Sequence, residues 1–428
     1  MRTLRFDQAN FEKKIAPLRR TATPEPGVQK TVSNILSQVA RHGDSALLRY
    51  AKKFDHATLT AEQLRVTPEE IAEAQASLSR ETLNLLKTSR KNVFAFAKKS
   101  LRKNWSMKNT QGAEVGERFD PFDRVGIYVP GGTAPLVSTA IMTCTLAQAA
   151  AVPQIVACTP CGSDGKIHPA LLTALHLCGA TEIYRIGGAQ AIAALAYGTA
   201  SIPAVRKIFG PGNAYVVEAK RQVVGQVAID LLPGPSEVLI LADSSARPDW
   251  IATDLLAQSE HGHGSQSILL TDSEKILKAV ESEVKKQSKK LSRQAALQES
   301  LASATLILLP DIATAIDLAN DYAAEHVSIV TRRAAEHAAL LTSSGAIFLG
   351  GYSPIATGDF LAGPSHTLPT GGAGKSFAGL TADQFQRRTS ILRYDRASLK
   401  KSAPIVAKLA ALEGLDAHAN SATIRHSP

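Results

Sequence analysis

The stretch Val125-Gly-Ile-Tyr-Val-Pro-Gly-Gly132 decides the fold, because the character of the chain changes there. Its apolar run ends in a proline–glycine turn, which is the pattern of a buried strand followed by a tight turn. The sequence before it predicts mostly helices, including Asn10–Leu18, Val32–Tyr50 and one around Glu81–Leu101. Thr67-Pro-Glu-Glu70 predicts a helix start, since it combines a capping threonine, a proline at the first position and acids in the first turn.

After this stretch, short apolar runs alternate with helical segments. The predicted strands are Val125–Val129, Ile155–Cys158, Glu182–Ile186, Lys207–Phe209 and Ala228–Leu232. Pro233-Gly-Pro-Ser236 interrupts the pattern, which then resumes with Val238–Ala242, Ser267–Leu270, Thr305–Leu309, Val327–Val330 and Ala346–Leu349. Strands that alternate with helices predict parallel sheets covered by helices. We therefore predict an α/β fold with two Rossmann-like parallel-sheet domains, split near Leu232–Glu237, and small helical N- and C-terminal segments.

The composition narrows the class of protein. With 428 residues, 44% of them apolar and 20% charged, the chain is typical of a soluble globular protein with more than one domain. We find no apolar run of transmembrane length, and the first residues do not have the pattern of a signal peptide. Four cysteines do not make a disulfide framework in a chain of this length, which favours the reducing cytoplasm.

The positive charge is concentrated near the N-terminus. Residues 1–110 carry 21 Lys and Arg against 10 Asp and Glu, whereas the rest carries 27 against 28. A nucleic-acid-binding region would combine basic clusters with stacking aromatics and a known module. Here the charges decorate the polar faces of predicted helices, with the densest run at Lys98–Lys103. We therefore expect a solvated surface and no nucleic-acid partner.

A candidate metal-binding segment is Asp254-Leu-Leu-Ala-Gln-Ser-Glu-His-Gly-His-Gly264, predicted as the end of a helix that begins near Pro248. Gln258 and His261 lie three positions apart and would share the face that apolar residues such as Leu255 bury. The C-terminal end of a helix dipole also favours a cation. The alternative is a histidine that caps its own helix, and two side chains are too few for a metal.

Other polar residues have the chemistry of catalysis or ligand binding. Glu325 and His326, predicted to close a helix before a strand, can share general-base work. The alternative is a helix-terminal histidine beside an exposed glutamate. Asp359 lies in the polar loop Thr357–His366, and Glu413-Gly-Leu-Asp-Ala-His418 places a carboxylate and an imidazole near the C-terminus.

Glycine-rich turns follow the predicted strands, at the sheet edge where ligands of open parallel sheets bind. Tyr128, Gln190 and Asn213 lie in or beside these turns and suit a nucleotide, with an aromatic ring for stacking and amides for hydrogen bonds. No GxGxxG motif follows a strand, so the spacing alone does not single out a dinucleotide. The turns are Pro130–Gly132, Gly187–Gly188, Gly210–Gly212 and Pro233–Pro235.

Two further motifs favour structural explanations. Gly371-Gly-Ala-Gly-Lys-Ser376 is similar to a phosphate-binding P-loop, but Pro369 stands where the motif needs its first glycine, and no apolar strand precedes it. ATP binding there remains an alternative function. Cys158-Thr-Pro-Cys161 has no second cysteine pair nearby, which disfavours a zinc site, and a redox role would need a thioredoxin-like context.

Taken together, ten motifs in order resemble the histidinol dehydrogenase family over nearly the whole chain. They are Val125–Gly132, Gly187–Ala196, Phe209–Asn213, Ala228–Asp230, Gly234–Val238, Gln258–His261, Glu325–His326, Gly363–His366, Leu368–Gly371 and Glu413–His418.

The resemblance implies oxidation of L-histidinol to L-histidine through L-histidinaldehyde, with NAD as the oxidant in both steps. It implies one Zn²⁺ per subunit, held by Gln258, His261, Asp359 and His418. Glu325 and His326 would be catalytic. The substrate would contact these zinc ligands, His326, Ser236, His366 and Glu413, and NAD would contact Tyr128, Gln190 and Asn213.

The resemblance also implies a homodimer whose C-terminal segments reach the partner's site. We accordingly expect an N-terminal helical arm at 1–23, a first α/β domain of 24–123 plus 237–377 with the metal and catalytic residues, a second of 124–236 for NAD, and a dimer-reaching segment at 378–428. His263 is unusual for the family; we interpret it as a bystander, with the alternative that it competes as a metal ligand.

Overall fold

The computed structural model describes residues 1–19, 26–131, 135–262 and 264–425. Its strands are β1 Arg2–Arg5, β2 Trp105–Lys108, β3 Glu114–Pro121, β4 Arg124–Tyr128, β5 Gln154–Thr159, β6 Glu182–Arg185, β7 Lys207–Phe209, β8 Ala228–Ile229, β9 Glu237–Ala242, β10 Gln266–Thr271, β11 Thr305–Leu308, β12 His326–Val330, β13 Ala346–Leu349 and β14 Gln386–Arg393.

Helices connect most of the strands, and within the described residues none is long and apolar enough to span a membrane. They are α1 Phe11–Ile15, α2 Pro26–His42, α3 Asp44–Tyr50, α4 Pro68–Ala76, α5 Arg80–Ser100, α6 Val137–Ala149, α7 Pro169–Leu177, α8 Gly188–Tyr197, α9 Ala214–Gln222, α10 Pro248–Ser259, α11 Glu274–Ser288, α12 Gln294–Ser303, α13 Ile312–Tyr322, α14 Ala334–Ala338, α15 Ile355–Phe360, α16 Arg396–Leu412 and α17 Asp416–Thr423.

Two parallel sheets form the framework, as the alternating pattern predicts. The five-stranded sheet has the order β6-β5-β4-β7-β8, and the six-stranded sheet has the order β1-β11-β10-β9-β12-β13. The chain passes from one sheet to the other between Ile229 and Glu237, where the sequence interrupts its pattern. The prediction of two successive α/β units is therefore confirmed.

The prediction of a helical arm at 1–23 is corrected, because this segment begins with strand β1. This strand pairs in parallel with β11 at the edge of the six-stranded sheet. Leu4 of this strand is buried in the same core as Phe11 and Ile15 of α1. The predicted helix Asn10–Leu18 forms as α1 followed by a 3-10 turn at Ala16–Leu18. A strand of four residues is too short to show an alternating pattern that a sequence reading could detect.

The prediction that residues 24–123 and 237–377 form one α/β domain is also corrected. Helix α2 packs against α8 and α9, α4 packs against α7, and α5 packs against α6. These helices share two hydrophobic cores with the five-stranded sheet, whereas 237–349 form their own cores with β1 and α1. An amphipathic helix shows in its sequence that it buries one face, but not which sheet that face covers.

A third sheet was not predicted. It is antiparallel, has the order β14-β3-β2, and joins the C-terminal segment at 378–428 to the chain before β4. The C-terminal segment is therefore not only helical. Strand β14 is exposed along most of its length and mixes basic, polar and apolar residues. That composition lacks the clean alternation of a strand with one buried face.

One loop connects the two parallel-sheet units beside the candidate site. The residues after α15 lie against α5 and α6: Ser89 Oγ donates to the Phe360 carbonyl at 2.5 Å, and Asn92 Nδ2 donates to the Leu361 carbonyl at 3.0 Å. Ser365 Oγ donates to the Met142 carbonyl at 3.0 Å. The predicted loop Thr357–His366 is helical up to Phe360, where α15 ends, and the end of α15 and the residues after it are held by helices that belong to the other sheet.

Candidate active site

The C-terminal end of α10 brings the first two candidate ligands to the amino edge of the six-stranded sheet. Gln258 is 3% exposed, and its Nε2 has no hydrogen-bond partner among the described residues. A buried amide nitrogen without an acceptor costs about 1–3 kcal/mol, so the arrangement favours a bound group at this place. His261 donates its backbone N–H to the Gln258 carbonyl at 3.2 Å.

His261 does not share the buried face that we expected for both side chains. Helix α10 ends at Ser259, and Gly262 follows with φ of 83°. His261 therefore lies in the turn beyond the helix, and its side chain is exposed. His263 lies outside the described residues, so its suggested part as bystander or competing ligand stays a prediction.

Glu325 and His326 lie at the start of β12, next to the start of β9. They do not close a helix as predicted, because α13 ends at Tyr322 and Ala323 adopts a left-handed conformation with φ of 55°. Both side chains are buried, and His326 Nδ1 lies 3.6 Å from Glu325 Oε2. The alternative of an exposed glutamate is therefore excluded.

The backbone of Glu237, the first residue of β9, orients both members of this pair. Its N–H donates to Glu325 Oε2 at 2.9 Å, and its carbonyl lies 3.2 Å from His326 Nδ1. In the tautomer with a proton on Nδ1, that nitrogen donates to the carbonyl and leaves the Nε2 lone pair available. Nε2 points towards Asp359, whose Oδ1 lies 3.7 Å away.

Burial sets the protonation of the pair. It raises the pKa of Glu325 to about 8, against hydrogen bonds from the Glu237 N–H and the Ser236 hydroxyl. Burial likewise lowers the pKa of His326, although the Asp359 carboxylate opposes this. A neutral imidazole beside a carboxyl group of raised pKa can accept a proton near neutral pH.

Asp359 and His366 complete the cluster from the loop that crosses between the two units. His366 Nδ1 lies 3.1 Å from the Asp359 carbonyl, and its Nε2 lies 3.4 Å from Thr139 Oγ1 on α6. Burial raises the pKa of Asp359 and lowers that of His366 to about 4. The His261 side chain acts electrostatically on both of them and on the catalytic pair.

At the carboxyl edge of the five-stranded sheet, the three candidate nucleotide residues lie beside glycine turns. Tyr128 ends β4, and its hydroxyl accepts the Gly188 N–H at 3.1 Å. Gln190 is buried next to that turn, since a Cβ on Gly188 would lie 2.7 Å from its Oε1. The Tyr128 ring is 4% exposed, so it offers no open face for the base stacking that the sequence suggested.

The next turn at the same edge is fixed by a buried ion pair between Lys220 and Asp230. Asp230 Oδ2 accepts the Gly210 N–H at 2.8 Å, and Lys220 Nζ donates to the Gly210 carbonyl at 2.9 Å. Asn213 directly follows this turn and caps α9 by accepting the N–H groups of Tyr215 and Val216. Lys220 escaped the sequence analysis, and Asp230 entered it only as the last residue of the motif Ala228–Asp230, because a buried charge pair is visible only once both partners are in place.

The two motifs set aside in the sequence have structural roles. Gly371 donates its N–H to Glu237 Oε1 at 3.1 Å, and Lys375 pairs with Asp321 at 3.3 Å. The P-loop-like stretch therefore supports the site from outside, in a 3-10 turn rather than after a strand. Cys158 is buried, and burial raises the pKa of Cys161 to about 11, which disfavours a reactive thiolate.

Comparisons with known proteins show the family of this chain. The sequence model described as histidinol dehydrogenase matches residues 18–426. A histidinol dehydrogenase of Heliobacterium mobile is 41% identical over 95% of the chain and 96% of its own length. One of Brucella abortus is 42% identical over 99% of both chains. The crystal structure of histidinol dehydrogenase from Elizabethkingia anophelis aligns with a TM-score of 0.94 at 35% identity, covering 99% of this chain and 98% of that one.

The chain belongs to the histidinol dehydrogenase family. This membership confirms the resemblance stated from the ten motifs, and with it the α/β fold class and an oxidoreductase activity.

Two residues expected at a histidinol dehydrogenase site are not brought to it within one chain. Glu413 ends α16 and His418 lies on α17, and both are exposed. These two helices pack mainly against each other. In the part of the chain that the structure describes, no three His, Cys, Asp or Glu side chains are arranged to hold a metal.

Proposed function

We propose that this histidinol dehydrogenase is NAD- and zinc-dependent and oxidises L-histidinol through L-histidinaldehyde to L-histidine, the last two steps of histidine biosynthesis. The observation that supports this most directly is the buried Glu325–His326 pair, with His326 Nε2 3.7 Å from Asp359. A base, a carboxyl group of raised pKa and a candidate metal ligand are thus adjacent. The chemistry of alcohol and aldehyde oxidation requires these groups together.

The residues present fit a zinc ion if a second copy of the chain contributes one ligand. Gln258, His261 and Asp359 would supply three donors at the negative end of α10, where a cation is favoured. His418 of a second copy would supply a fourth protein donor, and the substrate would complete the shell. When bound, zinc would anchor the substrate's amino and imidazole nitrogens and polarise its hydroxyl, without carrying electrons.

His326 would act as the base in both oxidations. Its Nδ1 is held by the Glu237 carbonyl, so that Nε2 faces the space beside Asp359. Nε2 takes the hydroxyl proton of the alcohol while the carbinol carbon gives its hydride to NAD, which leaves the aldehyde. The lowered pKa of His326 keeps the imidazole neutral and ready to accept this proton.

Glu325 would activate the water that hydrates the aldehyde, because a second hydride can leave only from the hydrate. The Glu325 carboxylate would accept a proton from water as the water oxygen adds to the carbonyl carbon, and the protonated His326 would return its proton to the carbonyl oxygen. This gives the hydrate and restores the neutral imidazole. His326 then takes a proton from the hydrate during the second hydride transfer. All four cysteines are described, and they lie in or beside the cores of the five-stranded sheet, so a covalent thiohemiacetal has no nucleophile in this cluster.

The remaining contacts follow the same proposal. Ser236, which hydrogen-bonds Glu325, and His366, beside Asp359, would contact the substrate from the same chain. Glu413 and His418 would reach it from the second copy of a homodimer. The exposed apolar residues of α16, among them Leu409 at 57% and Leu412 at 84%, support a partner on this helix. NAD would lie at the carboxyl edge of the five-stranded sheet, beside the glycine turns that carry Tyr128, Gln190 and Asn213.

A single assay tests the function. Purified protein with L-histidinol and NAD should produce NADH, seen as absorbance, in a stoichiometry of two NADH per histidine formed. A chelator should abolish the reaction, and added Zn²⁺ should restore it. His176→Ala changes an exposed histidine on α7 and should leave the rate unchanged. No NADH from zinc-loaded wild-type protein would contradict the proposal.

A further inference from the structure

The strand order of the five-stranded sheet indicates where each part of a dinucleotide would lie. Numbered by their place in this sheet, β6-β5-β4-β7-β8 have the order 3-2-1-4-5, which is that of dinucleotide-binding sheets. In such sheets, the ligand crosses the carboxyl edge where the order reverses, here between β4 and β7. An acidic residue that follows the second strand binds the adenosine ribose.

In this chain the second strand, β5, ends without an acid. The last residue of β5, Thr159, is followed by Pro160, Cys161 and Gly162. Asp164 lies further along the chain, and its Oδ1 accepts the Lys166 N–H at 2.9 Å. The position therefore lacks a carboxylate from the sheet itself. If the protein holds a ribose there, another element has to supply the acceptor.

Asp55 supplies a carboxylate at this place from the helical layer. It ends a π-helical turn, Ala51–Asp55, and His56 follows with φ of 56°. Single π-helical turns occur frequently at functional sites. After burial, the Asp55 carboxylate is the largest charge raising the pKa of Cys161, and it also raises that of Tyr128. Asp55 therefore lies near the ends of both β4 and β5.

The Asp55 carboxylate lacks a partner. Its Oδ2 is buried and makes no hydrogen bond within the described residues. A buried acceptor without a donor costs about 1–3 kcal/mol, and the two hydroxyls of a ribose are suitable donors. Cys161, whose pKa the Asp55 charge raises, lines a cleft of about 480 Å³ together with Pro160. A cleft of this size is large enough for a nucleoside.

We propose that Asp55 accepts a hydrogen bond from the 2′-hydroxyl of the adenosine ribose and thereby selects NAD over NADP. This rests on the proposed NAD dependence and adds the residue that determines cofactor choice. A carboxylate at this place attracts a hydroxyl donor and repels a 2′-phosphate. The site is distinct from the amides and the tyrosine already assigned to the cofactor.

The test compares Asp55→Ala with Glu73→Ala, which removes an exposed carboxylate from α4 nearby. For Asp55→Ala we expect at least a tenfold higher KM for NAD, a kcat within twofold of wild type and an unchanged KM for histidinol. The preference for NAD over NADP should fall at least tenfold. Glu73→Ala should match wild type. A KM for NAD and an NAD/NADP preference both within twofold of wild type would overturn the proposal.

A second measurement does not depend on how well the variant folds. Wild-type protein is assayed with NAD that lacks the 2′-hydroxyl on its adenosine ribose, and the KM should rise at least fivefold. Asp55→Ala should show no further rise, because the analogue and the variant remove the same contact. An analogue that wild type uses as well as NAD would sink the Asp55 assignment. Failure of wild type to reduce NAD at all would instead sink the proposed function.

Discussion

His326 Nε2 lies 3.7 Å from Asp359 Oδ1, although one residue begins strand β12 and the other lies on helix α15. The loop after α15 is fastened to helices of the other sheet, and the start of β12 is fastened to β9. The two parallel-sheet units must therefore pack correctly for this pair to form.

The first prediction concerns the base. His326→Ala should lower kcat by about 10²–10⁴-fold, since it removes the general base but none of the proposed zinc donors. Zinc content, measured by atomic absorption after dialysis, should stay at the wild-type level. His337→Ala, which changes a half-buried histidine on α14, is a matched control. Normal turnover by His326→Ala would show that another group takes the proton.

The second prediction tests how the crossing loop is held. Ser89 and Asn92 donate to the carbonyls that directly follow Asp359, without touching a proposed ligand themselves. Removing both donors in Ser89→Ala/Asn92→Ala should weaken zinc binding by about 10–100-fold, the usual effect of losing groups that orient a ligand. The measurement is competition against a chromophoric chelator.

Thr88→Ala is the control for the Ser89→Ala/Asn92→Ala variant. Thr88 is exposed on the same helix, and its hydroxyl donates a hydrogen bond to the Asn84 carbonyl of that helix. It should bind zinc as wild type does. If the double variant also kept wild-type affinity, α15 would hold Asp359 in place without help from α5.

The third prediction follows from the raised pKa of Glu325, about 8 in the fold. A carboxyl group whose pKa is raised by folding stabilises the protein fully below its unfolded pKa, near 4.5, and loses that contribution as pH rises through 8. Metal-free wild type should therefore lose on the order of 1–4 kcal/mol of unfolding free energy between pH 5 and pH 9 from this group, at about 1.4 kcal/mol per pKa unit.

Glu325→Gln should remove that part of the pH dependence, because glutamine does not ionise and can still accept the Glu237 N–H. Urea unfolding at both pH values measures the difference. Wild type and variant with parallel pH profiles would mean that Glu325 titrates near its ordinary value. Glu336→Gln, in an exposed ion pair with Arg333, should follow wild type.

The parallel sheets were predictable because each strand is an apolar run between glycine turns and amphipathic helices. This local pattern determines the order of the strands in a sheet only loosely. The three-stranded sheet was not predictable, since β14 pairs with β3 across most of the chain and has no apolar face. The packing of residues 26–100 on the five-stranded sheet was missed for a related reason. A helix sequence shows how much it buries, but not its partner.

The candidate site, like the fold, was predictable from the sequence only in part. The motifs contain Gln258 and His326, and the resemblance implies Asp359, which lies outside the ten motifs, but the sequence placed His326 at a helix end rather than at the start of a strand. It also missed Glu237, whose backbone orients the catalytic pair, because a main-chain contact leaves no residue-type signal. Asp55 had no motif at all, and only the buried, unpartnered oxygen reveals it.

The last prediction tests whether the site is shared between two copies. If His418 of one subunit completes the site of the other, then His418→Ala and Asp359→Ala homodimers should each be nearly inactive. Unfolding and refolding an equal mixture should restore activity, because half of the dimers are then mixed and each mixed dimer has one intact site. The recovered rate should approach about a quarter of the wild-type rate. Sites built from a single chain would give no recovery, since every site would keep one defect.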